Sequence, residues 1–320
     1  MRTGSRACLG LLCVVACTAD QFTAPDGGES DASTIDGSSS DGSKLEAGPP
    51  IEAGPPCNLS SPFVVVPLDS LNTAFDESSF RLVPSSLYGV FSSTRGNSTA
   101  NDLYSTSRSS TSQAYGSITA LGSLNSNKED VDPWISDDGL TIYFASNRYG
   151  TFDIFKATRA NTAVAFNAPA TLSIDGVEDE TQPYVTPDGK DMYFSAVRVV
   201  TGPTFDIYHS SWNGSAWTAP AIVSSVSSSS DDDDEPVVTN DKLTMYFASA
   251  RNNKQMDIFV ATRSTTSGAF GNVKPVNELN DSSMDDRPSW VSSDGCAVVF
   301  HSNRPASQAG FNIYVAVRPQ

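Results

Sequence analysis

From residue 62 onward, apolar and polar residues alternate in short runs that break at Gly, Asp, Ser and Pro. The stretch DVDPWISDDGLTIYFASNR, residues 130–148, reads as two period-two strands joined at Asp138-Gly139, a turn dipeptide that closes hairpins. About fifty residues later comes DETQPYVTPDGKDMYFSAVR, residues 179–198, with the same pattern. Nowhere in this region does the three-to-four residue spacing of an amphipathic helix replace the alternation.

The phrase recurs through the chain. Pro133, Pro183, Pro236 and Pro288 are spaced by 50, 53 and 52 residues. An apolar pair ending in Phe recurs at Phe91, Phe144, Phe194, Phe247 and Phe300, and an Arg follows each Phe by four positions: Arg95, Arg148, Arg198, Arg251 and Arg304. An Asp-Ile-aromatic triplet comes next, at Asp153, Asp206 and Asp257, varied as Asp102-Leu103-Tyr104 and Asn312-Ile313-Tyr314. A unit of about fifty residues with four short strands predicts an all-β fold, a β-propeller in which each unit is one blade. The units fall at about 76–125, 129–175, 179–230, 232–281 and 285–320.

The last unit stops after its third strand, whereas PFVVVPLDSLN (62–72) has a fourth-strand pattern with nothing before it. Residues 62–72 are therefore expected to complete the last blade, closing a five-bladed ring and covering both sheet edges; six blades is the alternative. Cys57 precedes the closing strand and Cys296 opens the second strand of the same blade, which places them at one end and makes a disulfide geometrically reasonable.

The string from DPWISDDGLTIYFASNR to TFDIF resembles the TolB-like, or WD-like, propeller repeat, over nearly all of 76–320. The resemblance is specific for fold and unspecific for function; TolB itself is a periplasmic, non-catalytic partner of an outer-membrane lipoprotein. TolB proteins usually carry six blades and an additional N-terminal domain, so the resemblance does not transfer their partner.

The N-terminal segment has a different character. MRTGSR is followed by ten apolar residues ending at Ala16, too few for a permanent membrane helix and suited to a signal-peptide core. Val14-Val15-Ala16-Cys17 resembles a bacterial lipobox, which implies a signal peptide over 1–16, lipidation of Cys17 and, with Thr18 following, an outer-membrane destination. Residues 17–56 are rich in Asp, Ser, Gly and Pro and read as a disordered acidic tether with a reach on the order of 35 Å. Of the five Cys, Cys8 and Cys13 would leave with the signal, so only Cys57 and Cys296 remain in the domain at 57–320.

The whole chain carries a formal charge of −17. That balance excludes nucleic acid as a partner and leaves the lipid as the only contact with the membrane. An envelope protein, a peptide or a glycan is the expected ligand, and a monomer the expected state.

Three sets of polar residues are candidates for chemistry. The Arg after the second strand and the Asp opening the third (Arg95 and Asp102, Arg148 and Asp153, Arg198 and Asp206, Arg251 and Asp257, with Arg304 last) read as a structural clip across that hairpin. Glu77, Asp130, Glu180, Asp233 and Asp285 lie three residues before the repeated first-strand position, with Asp76, Glu129, Asp132, Asp179, Asp234, Glu235 and Asp286 as acidic neighbours. Five-fold repetition predicts a ring of carboxylates at one mouth of the channel, oxygen-rich enough for a hard cation such as Ca2+; a solvated rim is the plainer reading, and no cofactor is otherwise indicated. Catalytic material is sparse: His209 and His301 are the two His, and no P-loop or nucleophile-elbow motif occurs. The enzymatic alternative is a glycoside hydrolase, since some five-bladed propellers resemble arabinanase-type enzymes; Trp134, Tyr184 and Trp290 would then be a sugar platform rather than packing between blades.

Overall fold

The computed structural model describes residues 57–319 except 97–99, 173, 175–177, 199–201, 253 and 306–309. The expectations for 1–56, lipidation of Cys17 included, lie outside the described residues.

The protein is a five-bladed β-propeller with no helix among its described residues. The chain first lays down β1 (Val64–Pro67), then four complete blades in sequence order. The first blade holds β2 (Glu77–Leu82), β3 (Tyr88–Ser93), β4 (Asp102–Ser107) and β5 (Gly116–Ala120). The second holds β6 (Asp130–Ile135), β7 (Thr141–Ser146), β8 (Asp153–Thr158) and β9 (Ala170–Thr171). The third holds β10 (Glu180–Val185), β11 (Asp191–Arg198), β12 (Gly202–Ser211) and β13 (Ala221–Ile222). The fourth holds β14 (Asp233–Val238), β15 (Thr244–Ser249), β16 (Asp257–Thr262) and β17 (Gly271–Pro275). The fifth holds β18 (Asp286–Val291), β19 (Ala297–Ser302) and β20 (Asn312–Val317), and β1 pairs antiparallel with β20 as its outer strand. Val65 faces Ala316 and Pro67 faces Tyr314 in that register. Five blades closed by the N-terminal strand is the architecture the repeat predicts.

The repeated aromatics explain why each sheet holds. Phe91, Phe144, Phe194, Phe247 and Phe300 are all fully buried, each facing the aromatic residue of the third-strand triplet. The pairs stack with centroids between 5.4 Å (Phe300–Tyr314) and 6.0 Å (Phe194–Tyr208). Cross-strand aromatic pairs of this kind contribute about 0.5–1 kcal/mol each beyond the area they bury.

Every first strand carries a β-bulge. In the first four blades its leading residue has a left-handed backbone: Ser79 (φ 54°), Asp132 (54°), Gln182 (51°) and Glu235 (50°). The fifth blade differs for a physical reason. There the irregularity falls between Pro288 and Trp290, so Pro288 occupies the bulge position, and the pyrrolidine ring forbids positive φ. The proline spacing therefore misaligns the last blade by one residue: Asp286, not Asp285, opens β18.

The first blade makes a paired exchange. Where the next three blades place Pro133, Pro183 and Pro236 it places Phe80, and a Cβ on Gly89 would lie 2.3 Å from that ring. The glycine opposite makes room for the larger side chain.

Cys57 and Cys296 form a disulfide with Cα atoms 5.8 Å apart, across a sequence separation of 239. Reduction, or Cys57→Ser, should lower unfolding stability by up to about 5 kcal/mol, read as a fall in the chemical-denaturation midpoint. No change in that midpoint would show that ring closure rests on the β1–β20 ladder alone.

Candidate functional site

The two repeated acid sets predicted from sequence do not form a ligand ring at the channel mouth. Glu77, Asp130, Asp233 and Asp286 are fully buried at the start of each first strand, and the Arg of the same blade reaches them. Arg95 lies 3.1 Å from Glu77 and Arg251 lies 2.5 Å from Asp233; Arg148–Asp130 and Arg304–Asp286 are equally direct. Each guanidinium lies across its blade's stacked aromatic pair, as Arg148 does 4.6 Å from the centre of Phe155. It also donates to the carbonyl of Leu71, Leu124, Val226 or Leu279, in the turn entering its blade. The carboxylate in turn accepts the backbone N–H of Thr73, Ser126, Ser228 or Asp281.

The predicted clip between Arg and the third-strand Asp is thus corrected. In the register the Asp faces a Ser instead, as Asp102 faces Ser93 and Asp153 faces Ser146. Burial raises the pKa of Asp102, and the neighbouring Asp130 and Glu129 raise it further; burial likewise raises Asp153 and Asp257. A fully buried acid on the first strand has the greater need of a countercharge, and it takes the Arg. In the third blade Glu180 is also fully buried and Asp206 opens the corresponding third-strand segment, while the side chain of Arg198 lies outside the description.

Asp285 belongs to a second structural set. Asp76, Glu129, Asp179, Asp232 and Asp285 each accept the backbone N–H of the residue before the third-strand triplet of the preceding blade: Phe311, Asn101, Phe152, Phe205 and Met256. These bonds join blade to blade around the ring. Among the described residues no group of three His, Cys, Asp or Glu is arranged to hold a metal ion.

The groups facing the channel are the ones that break the repeat. A pocket with about 320 Å³ of empty space, partly open to solvent, is lined by first-strand residues of all five blades. Its lining includes Asp132 and Glu235, both at bulge positions on different blades. Ser79 Oγ donates to Asp132 at 2.8 Å. Arg287 pairs with Asp234 and lies 3.8 Å from Glu235. His301 Nδ1 accepts the backbone N–H of Ser79 at 3.3 Å, which leaves the ring proton on Nε2, 3.4 Å from Glu235. His301 stands where other blades carry Ser92, Ala145, Ser195 and Ala248. Ser92 and Ser195 likewise accept the N–H of the next blade's bulge residue, Asp132 and Glu235. Ala248 faces the blade of Pro288, which has no N–H to give.

Burial dominates the electrostatics here. It raises Glu235 to about 8, with Arg287 pulling the other way. It raises Asp234 to about 7, Arg287 opposing and Glu235 adding. It raises Asp132 to about 6, with Glu235 adding and the Ser79 hydrogen bond opposing. It lowers His301 to about 4, with Arg287 adding, so the imidazole is neutral at neutral pH. Burial disfavours the charge on Arg287, but Asp234 and Glu235 outweigh it and raise its pKa.

Arg81, Trp134 and Tyr184 also line the pocket. Arg81 lies 5.4 Å from the centre of the Trp134 ring and 5.0 Å from that of Tyr184. The sequence reading passed over Arg81 and Arg287 and treated Asp132, Asp234 and Glu235 only as neighbours of the ring acids. The available signal was difference rather than repetition: Arg81 occupies the position of Trp134, Tyr184, Val237 and Trp290.

The sequence matches no protein-family model and no curated protein. Solved structures share the fold. A putative TolB from Agrobacterium tumefaciens aligns with TM-score 0.50 at 18% identity, over 78% of this chain and 79% of that one. TolB from Acinetobacter baumannii aligns with TM-score 0.52 at 16% identity over 78% of this chain, which spans 59% of that longer protein. A thermostable family-43 glycoside hydrolase aligns with TM-score 0.52 at 13% identity, over 75% of this chain and 89% of that one. The chain has a TolB-like propeller fold, and that fold is common to TolB proteins and glycoside hydrolases.

Asp130→Ala should destabilise the protein by about 3–5 kcal/mol in urea unfolding, because it strands a buried guanidinium and a turn N–H. A loss below about 1 kcal/mol would contradict the structural role given to this pair. The channel acids make a pH-dependent prediction. The folded pKa of Glu235, about 8, lies above its ordinary 4.5. Its ionisation therefore opposes folding at high pH, and the penalty fades as pH falls toward 4.5. Relative to the parent, Glu235→Gln should gain roughly 1–3 kcal/mol of stability between pH 5.5 and 8.5. A pH-independent difference would mean that Glu235 titrates normally in the fold.

Proposed function

We propose that this chain is a non-catalytic envelope lipoprotein, anchored through Cys17, whose propeller binds an envelope protein, peptide or glycan through the mouth of its central channel. The observation that carries the reading is the mutual engagement of the channel's charged groups. Asp234 is taken by Arg287, Asp132 by Ser79, and neutral His301 sits between Ser79 and Glu235. Acids held in place by Arg287, Ser79 and His301 give a preformed wall, which is what a binding site requires: it presents a fixed shape and spends little ordering entropy on its ligand. The anchor and the envelope location rest on the leader, the Val14–Cys17 lipobox and the acidic tether.

One observation favours a second reading. Asp132 and Glu235 approach the same pocket from different blades and have raised, unequal pKa values, about 6 and about 8. Carboxyls split in this way are the material of glycoside hydrolysis, one as acid and one as base.

Thermal unfolding with panels of sugars and short peptides, run beside aryl-glycoside assays, separates the two. Binding predicts saturable stabilisation by one ligand class, about 3 kcal/mol at a hundredfold excess over Kd, with no turnover. Turnover by the parent, lost in Asp132→Asn and Glu235→Gln, would replace the binding reading with the hydrolase. Radiolabelled palmitate should enter the full chain in a bacterial host and not Cys17→Ser; equal labelling would remove the anchor.

A further inference from the structure

Arg81 is 4% exposed, yet no carboxylate of a described residue lies within ion-pair distance of it. The guanidinium lies 5.0 Å from the centre of the Tyr184 ring, whose hydroxyl donates to the carbonyl of Val238. Its Nε and Nη1 have no partner, and neither does the indole Nε1 of Trp134, itself 5% exposed. All of these side chains line the same channel pocket. Asp137, on the exposed turn after β6, has a pKa raised by burial and drawn down by Arg81, but the two form no ion pair.

Three buried N–H donors without acceptors destabilise the fold, the charged group most, unless something supplies oxygen atoms. The two aromatic rings fix the guanidinium in place, so its direction is set before any ligand arrives. We propose that Arg81 and Trp134 form a carboxylate-binding subsite of the channel, for a small ligand that presents its acid group to them and its hydroxyls to Asp132 and Gln182. The inference rests on the channel-binding reading and names the chemistry of its ligand.

The rest of the pocket limits which anion fits. Among the described lining residues Arg81 is the one cation, and Asp132 is the acid ionised at neutral pH, since Glu235 is raised to about 8. A singly charged carboxylate matches one guanidinium, and a dianion such as phosphate would meet Asp132 with excess charge.

The test follows the Trp134 indole N–H and Arg81 Nε–H resonances of 15N-labelled protein during titration with acetate, glucuronate, glucose and inorganic phosphate. Glucuronate should shift both resonances saturably and bind about tenfold or more tightly than glucose, which differs from it in lacking the carboxylate. Acetate should shift the same resonances more weakly, and phosphate should bind less well than glucuronate. Arg81→Met keeps the side chain's length and should abolish the preference for glucuronate; Trp134→Phe, which keeps a ring and loses the donor, should weaken glucuronate and leave glucose unaffected. Circular dichroism and thermal unfolding verify that each variant is folded. Equal binding of glucose and glucuronate, tighter binding of phosphate, or no response at these two resonances to any carboxylate at tens of millimolar would overturn the subsite. A neutral sugar that perturbs the resonances of Gln182 and Glu235 without touching Arg81 would overturn it while leaving the channel-binding reading in place. Silence of the whole channel toward every probe and every panel ligand would remove both.

Discussion

The propeller depends on a buried ion pair that the described residues make in four of the five blades. Arg95, Arg148, Arg251 and Arg304 each cross a stacked aromatic pair, meet a fully buried carboxylate on the first strand and take a carbonyl from the turn entering the blade. One side chain thereby ties the strands of a blade to the turn that enters it. The pair is worth little as Coulomb attraction once the desolvation of both partners is counted, but removal of either member leaves a charge with nowhere to go. Its effect is to make a blade's strand packing and its entry turn conditional on each other. Asp76, Glu129, Asp179, Asp232 and Asp285 extend that dependence from each blade to the one before it.

Much of this was legible because the blades repeat. The Phe-to-Arg interval, the Asp-Ile-aromatic triplet and the incomplete last unit together specify five blades and the strand that closes them. Partner choice was not legible. An Arg five residues before an Asp reads as a hairpin clip, yet its carboxylate lies eighteen residues back, as in Arg148 and Asp130. Sequence distance cannot rank two acids by burial, and burial decided the pairing. The proline register failed at one place for a comparable reason: Pro288 keeps the residue type of the repeat but occupies the bulge position itself, where its fixed φ changes the strand.

The channel was illegible in a different sense. A reading that searches for what recurs selects the acids that hold the ring together, and passes over Arg81, Arg287 and His301, which occur once each at their repeat positions. A symmetric scaffold acquires a distinctive pocket by giving up its symmetry where the five first strands converge. Here one blade contributes a guanidinium where three others place rings and one places Val237, one contributes an imidazole where others place Ser or Ala, and two contribute acids at a strained bulge. Left-handed backbone at Asp132 and Glu235 is a conformation that ordinary side chains adopt at a cost, and here it lies beside the pocket.

The disulfide also determines how the molecule would carry mechanical load. Tension applied on the N-terminal side enters the described fold at Cys57, ahead of β1, and crosses a covalent bond to Cys296, at the start of β19. The outer strand is thereby bypassed, and β19, hydrogen-bonded on both edges, takes the force. A closing strand held by hydrogen bonds alone would be pulled away one register at a time; with the bond in place, extension must distort the middle of a blade before the ring can open.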